Sequence, residues 1–284
     1  MFDARPSTPR VGLALWLIDG RPLPERIAWA AAQGFTAVSI LVGQGRGWNS
    51  ECAEAAAAVR ELGFQLTCHF DPRKGVFAPG AIAVKYLEQV CAEALSWRRG
   101  AGGMWSCCSD PLLFPDRQGR PGFAPAPNVE LMRRLTARLA PEGVRVGIEN
   151  TFFGTPSLAS PKEIQDFQAV CGLADLHLLL DTGHLNIHLA GRANASEYLR
   201  RLNLPVAEVH VSDNCGEKDE HLQLGRGVLD FADLARGLKE TGFQGPITVE
   251  VCVDILRGRY AAHLDRPEQL APILETRDRI LKAL

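Results

Sequence analysis

Short apolar runs that end on a metal-binding type of residue recur along this chain. The runs are QLTCH, RVGIE, LHLLLD, VAEVH and ITVE, and they end on His69, Glu149, Asp181, His210 and Glu250. A charged or imidazole group is costly inside a buried strand, so it is best tolerated where the strand leaves the core. The last four endings lie 32, 29 and 40 residues apart. One strand-helix unit takes about 30 residues, so the polar endings recur about once per unit.

The rest of the chain alternates strand-like and helix-like segments in the same way. Eight strands are predicted at 11–17, 37–41, 65–69, 103–107, 145–149, 176–181, 206–211 and 247–251. Eight helices are predicted at 23–33, 51–62, 81–95, 129–140, 161–170, 195–202, 231–241 and 267–284. This pattern predicts an α/β fold, a single (β/α)8 TIM barrel that forms one domain over 1–284. A doubly wound open sheet is disfavoured, because the turn after the first strand lacks GxGxxG.

Two segments are expected to lie outside this regular pattern. Residues 1–9 are predicted to be a flexible N-terminus. Residues 106–128 form the longest stretch without a clear period, and they contain five prolines. Long loops in compact domains are commonly functional or disordered, so this segment is expected to be a loop or lid over the barrel mouth or an oligomer contact, with plain disorder as the alternative.

Composition and charge limit the partners that can be expected. The 284 residues are 46% hydrophobic and 23% charged, with a formal net charge of −2. This balance gives no overall basic field, so a nucleic-acid partner is not expected. No run approaches the roughly 20 apolar residues that cross a bilayer, and none of signal-peptide length opens the sequence. The eight cysteines form no CxxC pair. We therefore expect a cytoplasmic protein with reduced thiols, no membrane partner and a possible homo-oligomeric state.

Four of the five endings form an oxygen-rich set of potential metal ligands. They are Glu149, Asp181, His210 and Glu250. Three carboxylates and one imidazole suit Mn²⁺, Mg²⁺ or Co²⁺, and they are also compatible with Zn²⁺. The ends of strands five to eight lie side by side in a barrel, so one divalent cation could reach all four. The competing interpretation is that each group caps a loop or pairs with an arginine.

Further polar residues near these strand ends are candidates for substrate contact. They are His69, His184, Asp219, His221 and Arg226. His184 follows Asp181 by three residues, and Gly183 between them lets the chain turn towards the same cavity. Glycines on both sides of Arg226 suggest a backbone that comes close to a ligand. His69, which ends strand three, could contact substrate or a second metal.

Four segments resemble the xylose isomerase-like TIM-barrel superfamily of sugar isomerases, epimerases and related enzymes. They read VGIENTF, LLLDTGHLNIH, VHVSDNCGEKDEHLQLGRGVLDF and GPITVEV, in that order. The resemblance implies the same four metal ligands, with Glu149 and Glu250 also moving protons next to a carbonyl and His184 contacting a substrate oxygen. It implies a metal-dependent isomerase or epimerase of a small sugar or other polyhydroxy carbonyl compound.

The same resemblance leaves other functions open. A metal-dependent dehydratase of a cyclic polyol or keto acid could use the same ion and base, and a non-catalytic sugar-binding barrel would keep the fold. Endonuclease IV, a trinuclear zinc nuclease of abasic sites, is matched further at His69, His184, Asp219 and His221. Its histidine after strand four is missing, since Cys107 and Cys108 stand there. Ser39 replaces a glutamate found in many members, and the arginine of some ketose epimerases is not visible near Gly216.

Overall fold

The computed structural model describes residues 9–43, 47–72, 77–78, 81–82, 84–115, 118–153, 157–191, 194–255 and 258–284. Residues 1–8 of the predicted flexible N-terminus lie outside this description. The main sheet contains β1 Val11–Ala14, β2 Ala37–Val42, β3 Gln65–Phe70, β4 Ser106–Ser109, β5 Arg145–Glu149, β6 Leu176–Asp181, β7 Val206–Val211 and β8 Ile247–Val249. All neighbours in this sheet are parallel, and β1 pairs with both β2 and β8, which closes the barrel. The predicted (β/α)8 TIM barrel is confirmed.

Helices follow the strands and cover the outside of the barrel. They are α1 Leu23–Ala32, α2 Ser50–Glu61, α3 Val84–Ala101, α4 Pro125–Leu139, α5 Pro161–Cys171, α6 Thr182–His188, α7 Ala195–Arg201, α8 Phe231–Glu240 and α9 Pro267–Ala283. The capping at α5 follows the sequence signal, since Ser160 and Glu163 form a reciprocal capping box. In the described part of the chain, no helix combines the length and the apolar character needed to cross a membrane.

One helix, α6, was not predicted. The sequence suggested only a turn after strand six, but Asp181 caps a helix there, because its Oδ1 accepts the backbone N–H of His184 at 2.7 Å. Gly183 inside α6 lies in tight quarters, since a Cβ would lie 3.0 Å from Ser212 Oγ and 3.1 Å from Asp219 Oδ1. The helix therefore packs directly against the carboxyl end of β7.

The described residues of the segment 106–128 contain more regular structure than the prediction of one long loop or lid included. Its first residues form β4, the segments Leu113–Pro115 and Pro121–Phe123 pair as antiparallel strands, and α4 begins at Pro125. The prolines fit this structure because two lie at the ends of the short strands and Pro125 opens a helix, positions that proline tolerates. Buried Asn128 fixes the segment, since its Oδ1 accepts the N–H of Leu112 at 2.7 Å and its Nδ2 donates to Leu112 O at 2.9 Å.

The interior of the barrel is unusually polar, whereas the layer between strands and helices is apolar. Fully or almost fully buried inside are Ser39, Thr67, Ser106, Glu208 and Thr248. Two glycines make room for side chains in this layer. A Cβ on Gly12 would lie 2.8 Å from Thr248 Oγ1, and one on Gly147 would lie 2.7 Å from Cys108 Sγ. The interior therefore contains a polar layer below the carboxyl ends of the strands.

Candidate metal centre

The four predicted metal ligands come together at the carboxyl end of the barrel. Glu149 and Asp181 are the last residues of β5 and β6, His210 is the penultimate residue of β7, and Glu250 directly follows β8. Ligand atoms of Asp181, His210 and Glu250 all lie within 4.8 Å of one another. Glu149 belongs to two further groups of the same tightness, one with Asp181 and His184 and one with His69 and His210. Parallel pairing creates this convergence because it aligns all strand ends at one edge.

Backbone and side-chain hydrogen bonds fix these groups in place. Asn150 joins the ends of β5 and β6, since its Oδ1 accepts the Asp181 N–H at 2.7 Å and its Nδ2 donates to Asp181 O at 3.1 Å. His210 Nδ1 lies 3.0 Å from Glu250 Oε2. Asp181 Oδ2 is buried and has no hydrogen-bond partner among the described residues. Such an acceptor is costly unless it is satisfied, and a cation among these carboxylates would satisfy it.

Burial and mutual repulsion strongly perturb the carboxyl groups. Burial, followed by the nearby Asp110 carboxylate, raises the pKa of Glu149 to about 8. Burial also raises the pKa of Asp181. Burial pushes the pKa of Glu250 in the same direction, but the side chains of His210, His221 and His69 together outweigh burial and lower that pKa to about 2. The set thus concentrates negative charge in a poorly solvated place, and it fits a hard divalent cation in donor chemistry and spacing.

Three of the predicted substrate residues form a second group beside the first. His184 Nε2 lies 3.4 Å from Asp219 Oδ2, and His221 Nε2 lies 3.0 Å from the same oxygen. His184 Nδ1 is 3.0 Å from Glu149 Oε1, while His221 Nδ1 is 3.0 Å from the Glu250 carbonyl oxygen. Burial lowers the pKa of His221, but the Asp219 carboxylate outweighs burial and raises it to about 10. The second group is therefore linked to the first at two points.

His69 lies on the other side of Glu149 and has a partner that the sequence analysis missed. Its Nε2 is 2.9 Å from Asp110 Oδ1 and 3.7 Å from Glu149 Oε2. Trp16 stacks on the His69 ring, with centroids 5.5 Å apart, and its centroid is 5.9 Å from that of His210. Asp110 directly follows β4. If the sequence analysis had predicted the end of that strand correctly, it would have placed Asp110 at the same edge of the barrel as the other ligands.

Arg226 is not brought into the cluster. Its side chain is exposed and forms no hydrogen bond or ion pair with any residue in the described ranges. The structure gives a reason for the glycines at 225 and 227 that the sequence analysis did not consider. Asp213 Oδ2 accepts the N–H groups of Gly225 at 2.8 Å and Gly227 at 3.0 Å, and a Cβ on Gly227 would lie 2.1 Å from Asn214 O. The backbone here packs closely against the residues that follow β7, and a contact of Arg226 with substrate stays a prediction.

Glu208 is a second residue that the sequence analysis did not recognise. It is fully buried, and its Oε1 accepts the hydroxyl groups of Thr67 at 2.9 Å and Thr248 at 2.7 Å. Its Oε1 also lies 3.4 Å from His210 Nε2. A usable signal was present, because a residue two positions before His210 on a strand points to the same face. A carboxylate on the inner face of a barrel strand requires a polar partner there.

A cavity of about 450 Å³ lies away from this cluster, at the amino-terminal end of the barrel beside Trp105, Arg145 and Gly245. The convergent ligands are at the opposite end, where βα-barrel enzymes place their chemistry, so we assign the candidate site there. Phe152 forms one wall of that site, with its ring centroid 5.3 Å from that of His184 in an edge-on arrangement. Trp16 and Phe152 supply apolar surface beside an otherwise charged site.

Known proteins support this fold over the full chain. Solved structures of a D-psicose 3-epimerase from Clostridium cellulolyticum H10 and an L-ribulose 3-epimerase give TM-scores of 0.74 and 0.73 at 16% and 19% identity. They cover 97% and 98% of this chain and 99% and 95% of their own chains. A D-allulose 3-epimerase from Methylomonas sp. gives 0.72 at 20% identity, covering 99% of this chain and 100% of its own. Identities this low establish similarity of fold alone.

Sequence comparison gives a shorter match and a family. The uncharacterized protein MJ1311 of Methanocaldococcus jannaschii is 32% identical over 111 residues, which cover 38% of this chain and 37% of that protein. The chain thus matches little more than a third of that relative. A family model described as "Xylose isomerase-like TIM barrel" matches residues 127–275, slightly more than half of the chain. That match spans all four residues at the ends of β5 to β8, and the chain belongs to the xylose isomerase-like TIM barrel family.

Proposed function

We propose that this chain is a divalent-metal-dependent epimerase or isomerase that moves a proton next to the carbonyl of a small sugar or related polyhydroxy compound. The observation that carries the proposal is the convergence of Glu149, Asp181, His210 and Glu250 at one edge, with Asp181 Oδ2 buried and unpartnered among the described residues. These four would hold the ion, with Mn²⁺, Mg²⁺ or Co²⁺ preferred on donor chemistry and Zn²⁺ compatible.

A bound divalent cation would polarise substrate oxygens and lower the energy of the negative charge that develops on deprotonation. Glu149 and Glu250 are the acid and base groups of this proposal. They approach the cluster from β5 and from the end of β8, with β6 and β7 between them in the barrel. One carboxylate within reach of a carbon-bound proton can remove it, and the other can return a proton. Two carboxylates that approach the carbon from opposite faces suit epimerisation. Return of the proton to the neighbouring carbon instead gives isomerisation.

His184 would bind and orient the substrate. Its Nδ1 lies 2.8 Å from the Asn150 carbonyl oxygen, an arrangement that fixes the ring and leaves Nε2 as the nitrogen facing Asp219. His221 and Asp219 would line the same side, and His69 would lie on the far side of Glu149 beside Trp16. Arg226, which is exposed, would reach a substrate only through a change of its side-chain conformation. The structurally similar epimerases support a sugar as the substrate class.

The test is proton exchange at carbon. We would incubate the Mn²⁺-loaded protein with a panel of ketopentoses and ketohexoses in D₂O and follow deuterium incorporation and new epimers by NMR. Glu149→Gln and Glu250→Gln should each abolish exchange, and Glu240→Gln, an exposed glutamate at the end of α8, should leave it unchanged. No exchange by the wild-type protein with any sugar, or exchange that survives in both site variants, would overturn the proposal. A dehydratase would instead release an ultraviolet-absorbing enone.

A second candidate is a multinuclear phosphodiesterase like the abasic-site nuclease. It is favoured by the surplus of ligand-type side chains, since His69 with Asp110 and His184 with Asp219 and His221 adjoin the four proposed ligands. Metal analysis distinguishes the two. One ion per chain after equilibration with Mn²⁺ or Zn²⁺ supports the epimerase or isomerase, and three zinc ions with cleavage of abasic DNA support the nuclease. A cytoplasmic location and a homo-oligomeric state remain predictions.

A further inference from the structure

Glu208 is a buried carboxylate directly beneath the candidate metal centre. It lies on β7, two residues before His210, so both side chains point into the barrel. It is fully buried, and its Oε1 is 3.4 Å from His210 Nε2. On the other side of the imidazole, Nδ1 is 3.0 Å from Glu250 Oε2. The ring of His210 is therefore held between an inner carboxylate and an outer carboxylate, one at each nitrogen.

Three hydroxyl groups from three different strands hold Glu208 in place. Thr67 on β3 and Thr248 on β8 donate to Oε1, and Ser106 on β4 donates to Oε2 at 3.3 Å. An ionised carboxylate is an acceptor only, so every neighbour in this network has to be a donor. The remaining neighbour, His210 Nε2, lies slightly beyond the usual hydrogen-bond length and has no other partner in the described part of the chain. The network leaves it one role, that of an N–H donor.

We propose that Glu208 is a positioning residue that accepts the Nε2–H of His210 and thereby presents Nδ1, as a lone pair, to the metal. The proposal rests on the metal site of the proposed function and adds the residue that orients one of its ligands. Metal-binding histidines commonly donate their second ring N–H to a carboxylate, which fixes both tautomer and ring orientation. Because Oε1 and Oε2 are both anchored by hydroxyl groups, Glu208 cannot swing upward to act as a ligand without losing those bonds.

A packing role alone does not explain a charge at this position. Burying a carboxyl group is costly unless hydrogen bonds satisfy it, and an apolar side chain would fill this position without that cost. Uncharged residues fill the neighbouring inward positions: Leu179, which pairs with Glu208 in the β6–β7 register, is apolar, and Thr67, Ser106 and Thr248 are polar but neutral. The carboxyl group of Glu208 lies two residues before His210, which is the only histidine among the four proposed ligands.

The first test measures Mn²⁺ affinity by calorimetric titration of the metal-free protein. Glu208→Gln keeps the shape and removes the charge, and it should weaken Mn²⁺ binding about 10- to 100-fold. Thr248→Val is the matched control. It removes one hydroxyl donor from the same network but leaves the carboxylate facing His210, so affinity should change by about threefold at most. Equal losses in the two variants, or no loss in Glu208→Gln, would overturn the proposal.

The second test needs no metal. In ¹⁵N-histidine-labelled wild-type protein, the His210 signals are identified by their loss in His210→Gln. We expect a proton on Nε2 that exchanges slowly with water and resonates downfield, and we expect Glu208→Gln to move it upfield and speed its exchange. A His210 that carries its proton on Nδ1 alone would overturn the proposal. If the wild-type protein binds no Mn²⁺, the metal-dependent function fails, and this spectrum still decides whether Glu208 positions His210.

Discussion

The crowding of carboxylates at the site predicts that Glu149→Gln will make the metal-free protein more stable. Burial and Asp110 raise the pKa of Glu149 from 4.5 to about 8. A raised carboxyl pKa means that the folded protein binds more protons than the unfolded chain between these two values. Stability contributed by this group is therefore present at low pH and is lost as the pH rises from about 4.5 to about 8. A glutamine, which never ionises, does not suffer this loss.

The size of the effect follows from the shift. At about 1.36 kcal/mol per unit, holding Glu149 in its site at pH 7 costs up to about 3 kcal/mol relative to a neutral side chain. The gain of Glu149→Gln over wild type should grow by about 3–4 kcal/mol between pH 5 and pH 8. The amide of the variant can keep an acceptor towards His184 Nδ1, which lies 3.0 Å from Oε1 of the native residue. The neutral variant should therefore retain the local geometry.

The assay is urea unfolding of metal-free wild-type and variant protein at pH 5, 6, 7 and 8, with Glu240→Gln as the control for loss of an exposed carboxylate. The control should differ from wild type by a constant amount. Repeating the series at pH 7 with Mn²⁺ at about 1,000 times its Kd should reverse the order. Such a ligand stabilises wild type by about 4.1 kcal/mol, which exceeds the gain of about 3 kcal/mol expected for the variant, and the variant lacks a proposed ligand. A gain that does not grow with pH would refute the burial argument. Equal stabilisation of both proteins by Mn²⁺ would remove Glu149 from the ligand set.

Three other substitutions test parts of the scaffold by denaturant unfolding. Gly147→Ala places a Cβ 2.7 Å from Cys108 Sγ and should cost about 1–3 kcal/mol, with partial rescue by adding Cys108→Ala; an additive loss in the double variant would contradict the contact. Ser160→Ala removes the α5 capping box and should cost about 1 kcal/mol, whereas an unchanged midpoint would show that the cap contributes nothing. Asp213→Ala leaves the N–H groups of Gly225, Gly227 and two further residues without their acceptor and should cost at least about 3 kcal/mol, measured also as faster amide exchange in 225–229.

The sequence predicts those parts of the site that depend on strand register. Glu149, Asp181, His210 and Glu250 could be placed together because each follows an apolar run of definite length, and parallel pairing aligns the ends of such runs. Asp110 could not, because the fourth strand was placed at 103–107, whereas β4 is Ser106–Ser109. Because the predicted strand began and ended two to three residues too early, Cys107 and Cys108 were placed at the carboxyl edge of the barrel and Asp110 was left in a loop. In the structure both cysteines are buried in the sheet.

Features that depend on contacts between strands were beyond the sequence. Its position two residues before His210 places Glu208 on the inner face of the strand, but only the closed barrel shows that Thr67, Ser106 and Thr248 surround it. The short helix α6 has only seven residues, one of them a glycine, and this is too short for a periodic pattern in the sequence. Its start is stabilised by the Asp181 side chain, which caps it. Turn and capping chemistry also explains why the proline-rich stretch after β4 is ordered into a hairpin and a helix start.

The charge balance of the site leads to a last prediction, about protons. Besides Asp110, five carboxylates meet there, and none of these five forms an ion pair with a lysine or arginine in the described part of the chain; they are Glu149, Asp181, Glu208, Asp219 and Glu250. Four histidines offset most of this negative charge when they are protonated. Burial lowers the pKa of His210, but Glu250 and Glu208 outweigh burial and hold that pKa well above its usual value. The metal-free site thus holds protons where a cation would otherwise be.

Metal binding should therefore release protons. His210 must lose one to become a ligand, and Glu149, whose pKa is raised to about 8, must be ionised as well. At pH 7 we expect at least about one proton released per Mn²⁺ bound, measured by titration calorimetry in two buffers of different ionisation enthalpy. Affinity should consequently fall as the pH is lowered. In Glu149→Gln the release should shrink, because that variant has no carboxyl proton to lose. Binding with the same heat in both buffers would show that the imidazole and carboxyl groups are already deprotonated, and protons would then not be what neutralises the metal-free site.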